Sequence, residues 1–216
     1  MPWRKNHRRF HSRFSPPRRT RGCGWGLLQL KQPDIQYNAL SYETRLKPRK
    51  PESINLVVIH CTELPDLGTA RQYGEKIHYA DSSTGNSGHF YIDRDGRIEQ
   101  WVDPAFMAHH VAGHNEKTIG IELVNLGRYP DWFHSDCQEM QEAYPRAQID
   151  ALVLLLQGLV EEFPSLSEIA GHEDLDRREV PADDDSGVLV QRKMDPGPMF
   201  PWSQVLDMTR LARLTN

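Results

Sequence analysis

The chain has 216 residues, 38% hydrophobic and 26% charged, with a formal net charge of −4. That length holds one sizeable core, or one domain with an extension. Its longest apolar block, Ala151-Leu152-Val153-Leu154-Leu155-Leu156, falls far short of the roughly 20 residues a membrane helix needs, and Cys23, Cys61 and Cys137 are too scattered and odd in number to imply a disulfide framework.

The charge is uneven. Residues 1–33 carry nine Lys/Arg and no acid, leaving 17 of the 26 bases to face all 30 acids. A basic arm of this kind can bind nucleic acid or an anionic surface, or be a disordered leader. Its apolar piece, Trp25-Gly26-Leu27-Leu28-Gln29-Leu30, is shorter than the 7–15-residue core of a secretory signal, so the expected location is cytoplasmic, with the periplasm or cell envelope as the alternative. Residues 34–53 read as a linker or an N-terminal wrap, so that 1–53 forms a basic extension and 54–214 the folded domain.

From residue 54 the texture changes. Ile54-Asn55-Leu56-Val57-Val58-Ile59 is a β-branched run suited to a buried central strand, and His60 follows at its C-terminal end. Thr69–Ala80 reads as a helix, with Ala70, Tyr73, Ile77 and Ala80 at helical spacing. Gly88–Ile92 and Arg97–Val102, joined through Asp95-Gly96, form a hairpin signal. Thr118–Val124 is another strand. Pro145–Phe163 is the strongest helix, with Ile149, Leu152, Val153, Leu156, Leu159 and Val160 on one face and Pro164 just beyond. Pro201-Trp202-Ser203 opens a last helix running through Val205, Met208, Leu211 and Ala212. Elements in this order predict an α/β domain with a mixed central β-sheet flanked by helices.

Of ten histidines, His7 and His11 belong to the basic arm, His78 to a predicted helix and His134 to a polar loop. His60, His89, His109, His110, His114 and His172 fall at strand ends or in loops and are the candidates for chemistry. His60, His172 and Asp195, the last in Lys193-Met194-Asp195-Pro196-Gly197-Pro198, could form an open metal site, since catalytic zinc takes three ligands from His and Asp/Glu and keeps one position free. None of the three is at i, i+4 from another, so a set of satisfied polar residues at a core edge is the competing explanation.

Six segments in order carry a resemblance: Val57–His60, Ser87–Gly96, Ala112-Gly113-His114-Asn115, Ile119–Leu123, Gly171-His172-Glu173-Asp174 and Lys193–Gly197. Together they resemble the zinc-dependent N-acetylmuramoyl-L-alanine amidases (amidase type 2), which share a fold with peptidoglycan recognition proteins and include the 1,6-anhydro-N-acetylmuramyl-L-alanine amidases. The resemblance implies zinc in a surface groove, held by His60, His172 and Asp195, with Glu122 as acid/base and Lys193 beside the reacting carbonyl. It further implies His89, His110 and Asn115 as substrate-binding residues, with the choice between His109 and His110 open. The implied substrate is peptidoglycan or muropeptide. Independently, Glu122 is an acid interrupting an apolar strand, which asks for a reason if it is buried; an edge strand turning it to solvent would supply a bland one.

Two features depart from the family pattern: the acidic stretch Asp183-Asp184-Asp185-Ser186-Gly187, and the N-terminal 53 residues. A peptidoglycan-binding module without turnover is the rival from another class; such relatives typically lose a metal ligand, and here all three candidates are present. Nucleic-acid binding through the basic arm is a third possibility that nothing in 54–214 supports.

Overall fold

The computed structural model describes residues 33–215; apart from Pro33, the basic arm lies outside the described residues. At the centre is strand β2 (Leu56–Cys61), buried along its whole length. It is flanked in parallel by β5 (Thr118–Leu123) and β6 (Glu168–Gly171). Burial on both faces is what its near-continuous apolar run demands. The hairpin forms as β3 (Phe90–Ile92) and β4 (Ile98–Gln100), antiparallel to each other, with Gly96 at φ +88° in the connecting turn. With β1 (Ile35–Tyr37) and β9 (Ala212–Arg213) at the edges, the order is β1-β4-β3-β5-β2-β6-β9, a mixed sheet in which β3 and β4 form the antiparallel pair.

Alternation along the strands separates two faces. Val57 and Ile59, with Ile119, Ile121 and Leu123, pack against Ile149, Leu152, Leu155, Leu156 and Leu159 of helix α2 (Arg146–Glu162). Within that apolar layer, buried Gln148 donates from Nε2 to the carbonyls of Ile92 and Val124, tying the first turn of α2 to the ends of two strands. The opposite face carries Leu56, Val58 and His60 of β2 alongside Thr118, Gly120 and Glu122 of β5, which are their register partners. Helix α1 (Leu67–Gly74) lies on this side, begun by Asp66, whose carboxylate accepts from the Thr69 amide at 2.7 Å.

Three expectations are corrected. Residues 34–53 are part of the domain: β1 pairs in parallel with β4, and Leu40, Tyr42 and Leu46 are buried with Trp101, Tyr91 and Ala70. The folded unit therefore begins about twenty residues before the expected boundary at 54. Of the two alternatives for this segment, the N-terminal wrap describes it and the linker does not; its buried side chains follow no helical or alternating period that would mark it as folded.

Helix α1 ends at Gly74, not at Ala80. The Tyr42 hydroxyl donates to the Gly74 carbonyl at 2.7 Å, while the His78 amide, which would have taken that carbonyl in a longer helix, goes to Thr84 instead. Ile77 and Tyr79, beyond its end, are exposed, as is Tyr73 in its last turn. The last helix, α4 (Trp202–Met208), is also shorter than expected, because Ala212 and Arg213 leave it to pair with β6. The acidic stretch 183–187 is the tip of a small hairpin formed by β7 (Glu179–Pro181) and β8 (Leu189–Gln191), where Asp184 accepts from the amide and hydroxyl of Ser135. Among the described residues, no helix is long and apolar enough to cross a membrane.

Candidate metal centre

Parallel pairing of β2 with β6 places Ile59 opposite Gly171. The next residues, His60 and His172, therefore emerge side by side at the C-terminal edge of the sheet, with ring centroids 4.7 Å apart. His172 opens a single helical turn, α3 (His172–Leu175). Asp195 arrives from the loop after β8. Its Oδ2 lies 2.9 Å from His60 Nδ1 and 3.1 Å from His172 Nδ1. All three residues are buried, and one donor atom from each falls within 4.8 Å of the others.

The Asp195 loop is held at several points. The Glu173 amide donates to the Asp195 carbonyl at 3.0 Å, and the Tyr144 hydroxyl donates to the Pro196 carbonyl at 2.7 Å. Gly171 presses against Pro196, where a Cβ would come within 2.8 Å of the proline ring. Gly197 takes φ +82° under the end of the Met140 side chain, a backbone conformation that strains any residue other than glycine.

These residues fit a cation. Asp195 Oδ1 is buried with no hydrogen-bond partner, and a carboxylate oxygen orphaned in that way beside two imidazole nitrogens asks for a positive partner. Two histidines and one carboxylate are a donor set of catalytic zinc. The electrostatics agree with ligand duty. Burial drives His60 down to about 4 against the opposing influence of the Asp195 carboxylate, so its imidazole is neutral at pH 7. Burial alone would raise Asp195, but the neighbouring His172 and Lys193 outweigh it and hold the carboxyl well below its usual range.

Glu122 is the register partner of His60 on the adjacent strand, so both side chains leave the sheet on the same face. It is half-buried in a groove of about 370 Å³ that Lys193 and the three clustered residues also line. Burial first, and then the charge of Asp195, pushes Glu122 up to about 8, against the pull of Lys193. The second groove carboxylate, Glu63, is bound at 2.7 Å by the buried guanidinium of Arg128, which leaves Glu122 as the groove acid poised near neutrality. Gly88 lies flat against it; a Cβ there would approach the Glu122 Cγ to 2.8 Å.

The remaining candidates separate. His89 is not a groove residue: it is fully buried, its Nδ1 accepting from the Gly120 amide and its Nε2 lying 3.1 Å from the Phe106 carbonyl. It bridges β5 to the 103–106 turn and does not border the groove. His109 and His110 both border the groove, with opposite orientations. His109 packs edge-on against Tyr79 at the rim. His110 turns inward over Gly120, where any Cβ would meet its ring at 2.6 Å, and contacts His60. Asn115 borders the groove, but its Oδ1 accepts from the amides of His110 and Val111 and so shapes the loop that carries His110. His78 and Tyr79 border the groove too. The sequence hinted at Gly120, since glycine inside an apolar strand marks a close approach; nothing in it singled out Thr118 or Tyr144.

A profile of the family described as N-acetylmuramoyl-L-alanine amidase matches residues 50–198. A 1,6-anhydro-N-acetylmuramyl-L-alanine amidase, AmpD of Enterobacter cloacae, is 30% identical over 122 residues, covering 52% of this chain and 51% of that protein. The chain thus spans about half the length of that relative. The protein of the same name from Haemophilus influenzae is 27% identical over 186 residues, 76% of this chain and 87% of the other. Among solved structures, the endolysin amidase LysCS from Clostridium intestinale URNW superposes with a TM-score of 0.59 at 21% identity, over 84% of this chain and 99% of that one, a likeness of fold.

Proposed function

The chain belongs to the N-acetylmuramoyl-L-alanine amidase family, and from that membership we propose that it is a zinc hydrolase of the amide between N-acetylmuramic acid and L-alanine. Its substrate is peptidoglycan or the muropeptides released from it. The observation that carries this reading is the meeting of His60, His172 and Asp195, with one buried carboxylate oxygen unsatisfied, in the groove that holds Glu122.

His60, His172 and Asp195 would hold the zinc ion. When bound, zinc polarises the scissile carbonyl and makes a water acidic enough to attack near neutral pH. Glu122 takes a proton from the attacking water on a carboxylate oxygen and returns it to the alanine nitrogen as the C–N bond breaks and the new C–O bond is kept. Without metal the carboxyl is pushed up to about 8. The charge of a bound zinc ion would draw it down towards the working pH, where a group can both take and return a proton. The Lys193 ammonium stabilises the negative charge that develops on the carbonyl oxygen.

The rival is a groove that binds peptidoglycan without cleaving it. The complete donor set favours catalysis. Mass spectrometry of the products from intact sacculi and from anhydro-muropeptide separates the two. Release of a stem peptide with a free L-alanine amine, together with a muramyl product, is the expected result; retained binding with unchanged substrate masses would identify a recognition module. Preference for anhydro-muropeptide accords with a cytoplasmic role, and preference for sacculi with the cell envelope.

A further inference from the structure

His60 points Nδ1 at Asp195, so its usefulness as a ligand depends on where the ring proton sits. That is decided by the other nitrogen. His60 Nε2 lies 3.0 Å from His110 Nδ1, His110 Nε2 lies 3.1 Å from the Thr118 hydroxyl oxygen, and that hydroxyl lies 3.0 Å from the carbonyl of His114.

The direction of this row follows from its far end, where the Thr118 hydroxyl faces a carbonyl that also accepts from the Lys117 amide at 3.1 Å. A carbonyl only accepts, so the single proton of Thr118 goes to His114. The Thr118 oxygen can then only accept from His110, whose proton must sit on Nε2. A neutral His110 therefore presents a bare Nδ1, which accepts from His60 Nε2–H. His60 is left with its lone pair on Nδ1, facing Asp195 Oδ2 at 2.9 Å. Two acceptors so placed repel unless a cation lies between them. Run the other way, the row would put a proton on His60 Nδ1, bond it to Asp195 and occupy the ligand position, and the His114 carbonyl would keep only the Lys117 amide.

We propose that His110 and Thr118 are positioning residues that set the tautomer of His60, so that Nδ1 is offered to the metal. This rests on the zinc assignment of the cluster. The fold is arranged for it: Thr118 is fully buried, Gly120 clears the space that the His110 ring fills, and Asn115 fixes the His110 backbone. Outer partners of this type commonly change metal affinity by about 10–100-fold when removed.

The test is competition for zinc against a chromophoric chelator, with wild type, Thr118→Val and Thr118→Ser. Thr118→Val keeps the volume but removes the acceptor, and is expected to weaken zinc binding by about 10–100-fold. Thr118→Ser, which keeps the hydroxyl, is expected to restore it. Imidazole 15N spectra of the zinc-loaded wild type are expected to place the protons of His60 and His110 on Nε2, a readout that needs no variant to fold. Wild-type affinity in Thr118→Val, or a proton on His110 Nδ1, would overturn the proposal while leaving zinc binding intact. A wild type that binds no zinc would instead remove the metal assignment on which it rests.

Discussion

Asp195→Ala is expected to abolish zinc binding and amide hydrolysis together. Asp195 supplies the anionic member of the triad, and its Oδ2 contacts both imidazoles. Without it, a divalent ion would face two neutral ring nitrogens in a buried site with no opposing charge, which is costly. Burial opposes a charge on Asp195, yet His172 and Lys193 hold its carboxyl well below the usual range, so the side chain stays ionised. Elemental analysis of the purified variant should find zinc at background, and peptide release should fall to that of buffer. Asp195→Asn, close in shape but uncharged, should resemble alanine more than wild type. A variant carrying one zinc per chain would remove Asp195 from the ligand set.

Glu122→Gln should separate binding from chemistry. The residue lies beside the triad and not within it, so zinc content should stay at the wild-type level. The amide side chain cannot shuttle a proton, and kcat should fall by about 10²–10⁴-fold, the usual worth of a positioned acid–base group. The same residue gives a signature in the metal-free protein. With Glu122 raised from 4.5 to about 8, the folded chain keeps a proton over that interval which the unfolded chain has released. Its contribution to stability is therefore full below the unfolded pKa and is lost as pH rises towards 8. Glu122→Gln should remove that part of the pH dependence in denaturation experiments. Hydrolysis at the wild-type rate by the variant would refute the acid–base role.

Much of the frame was legible in the sequence because it is written locally. The β-branched run of β2, the Asp95-Gly96 turn between β3 and β4, and the apolar stripe of α2 each report a period or a turn chemistry contained in one short segment. Features set by distant partners were not legible. Helix α1 stops at Gly74 because Tyr42, 32 residues earlier, takes its carbonyl. The 34–53 segment docks through scattered side chains that share no period. His89 lies on the groove face of the sheet beside Gly120, yet Arg49 and the Phe106 carbonyl, both distant in the chain, cover its ring.

The site divides in the same way. His60 could be placed at a strand end from sequence, but its meeting with His172 depends on the register of β2 with β6, which no spacing encodes. The inward turn of His110 depends on Gly120 across the sheet and on the Thr118 hydroxyl below it. Six segments in family order carry the grouping that spacing does not, while the contacts of His110 with His60 and Thr118 are set by loop and strand positions that no local pattern encodes.

The most direct test of the central claim is zinc dependence measured on one preparation. Zinc is removed by chelation, its loss verified by elemental analysis, and the release of L-alanine-terminated stem peptide followed as zinc is added back. The account predicts no release from the stripped protein and full recovery at one zinc per chain. Undiminished release from protein shown to hold no zinc would contradict it.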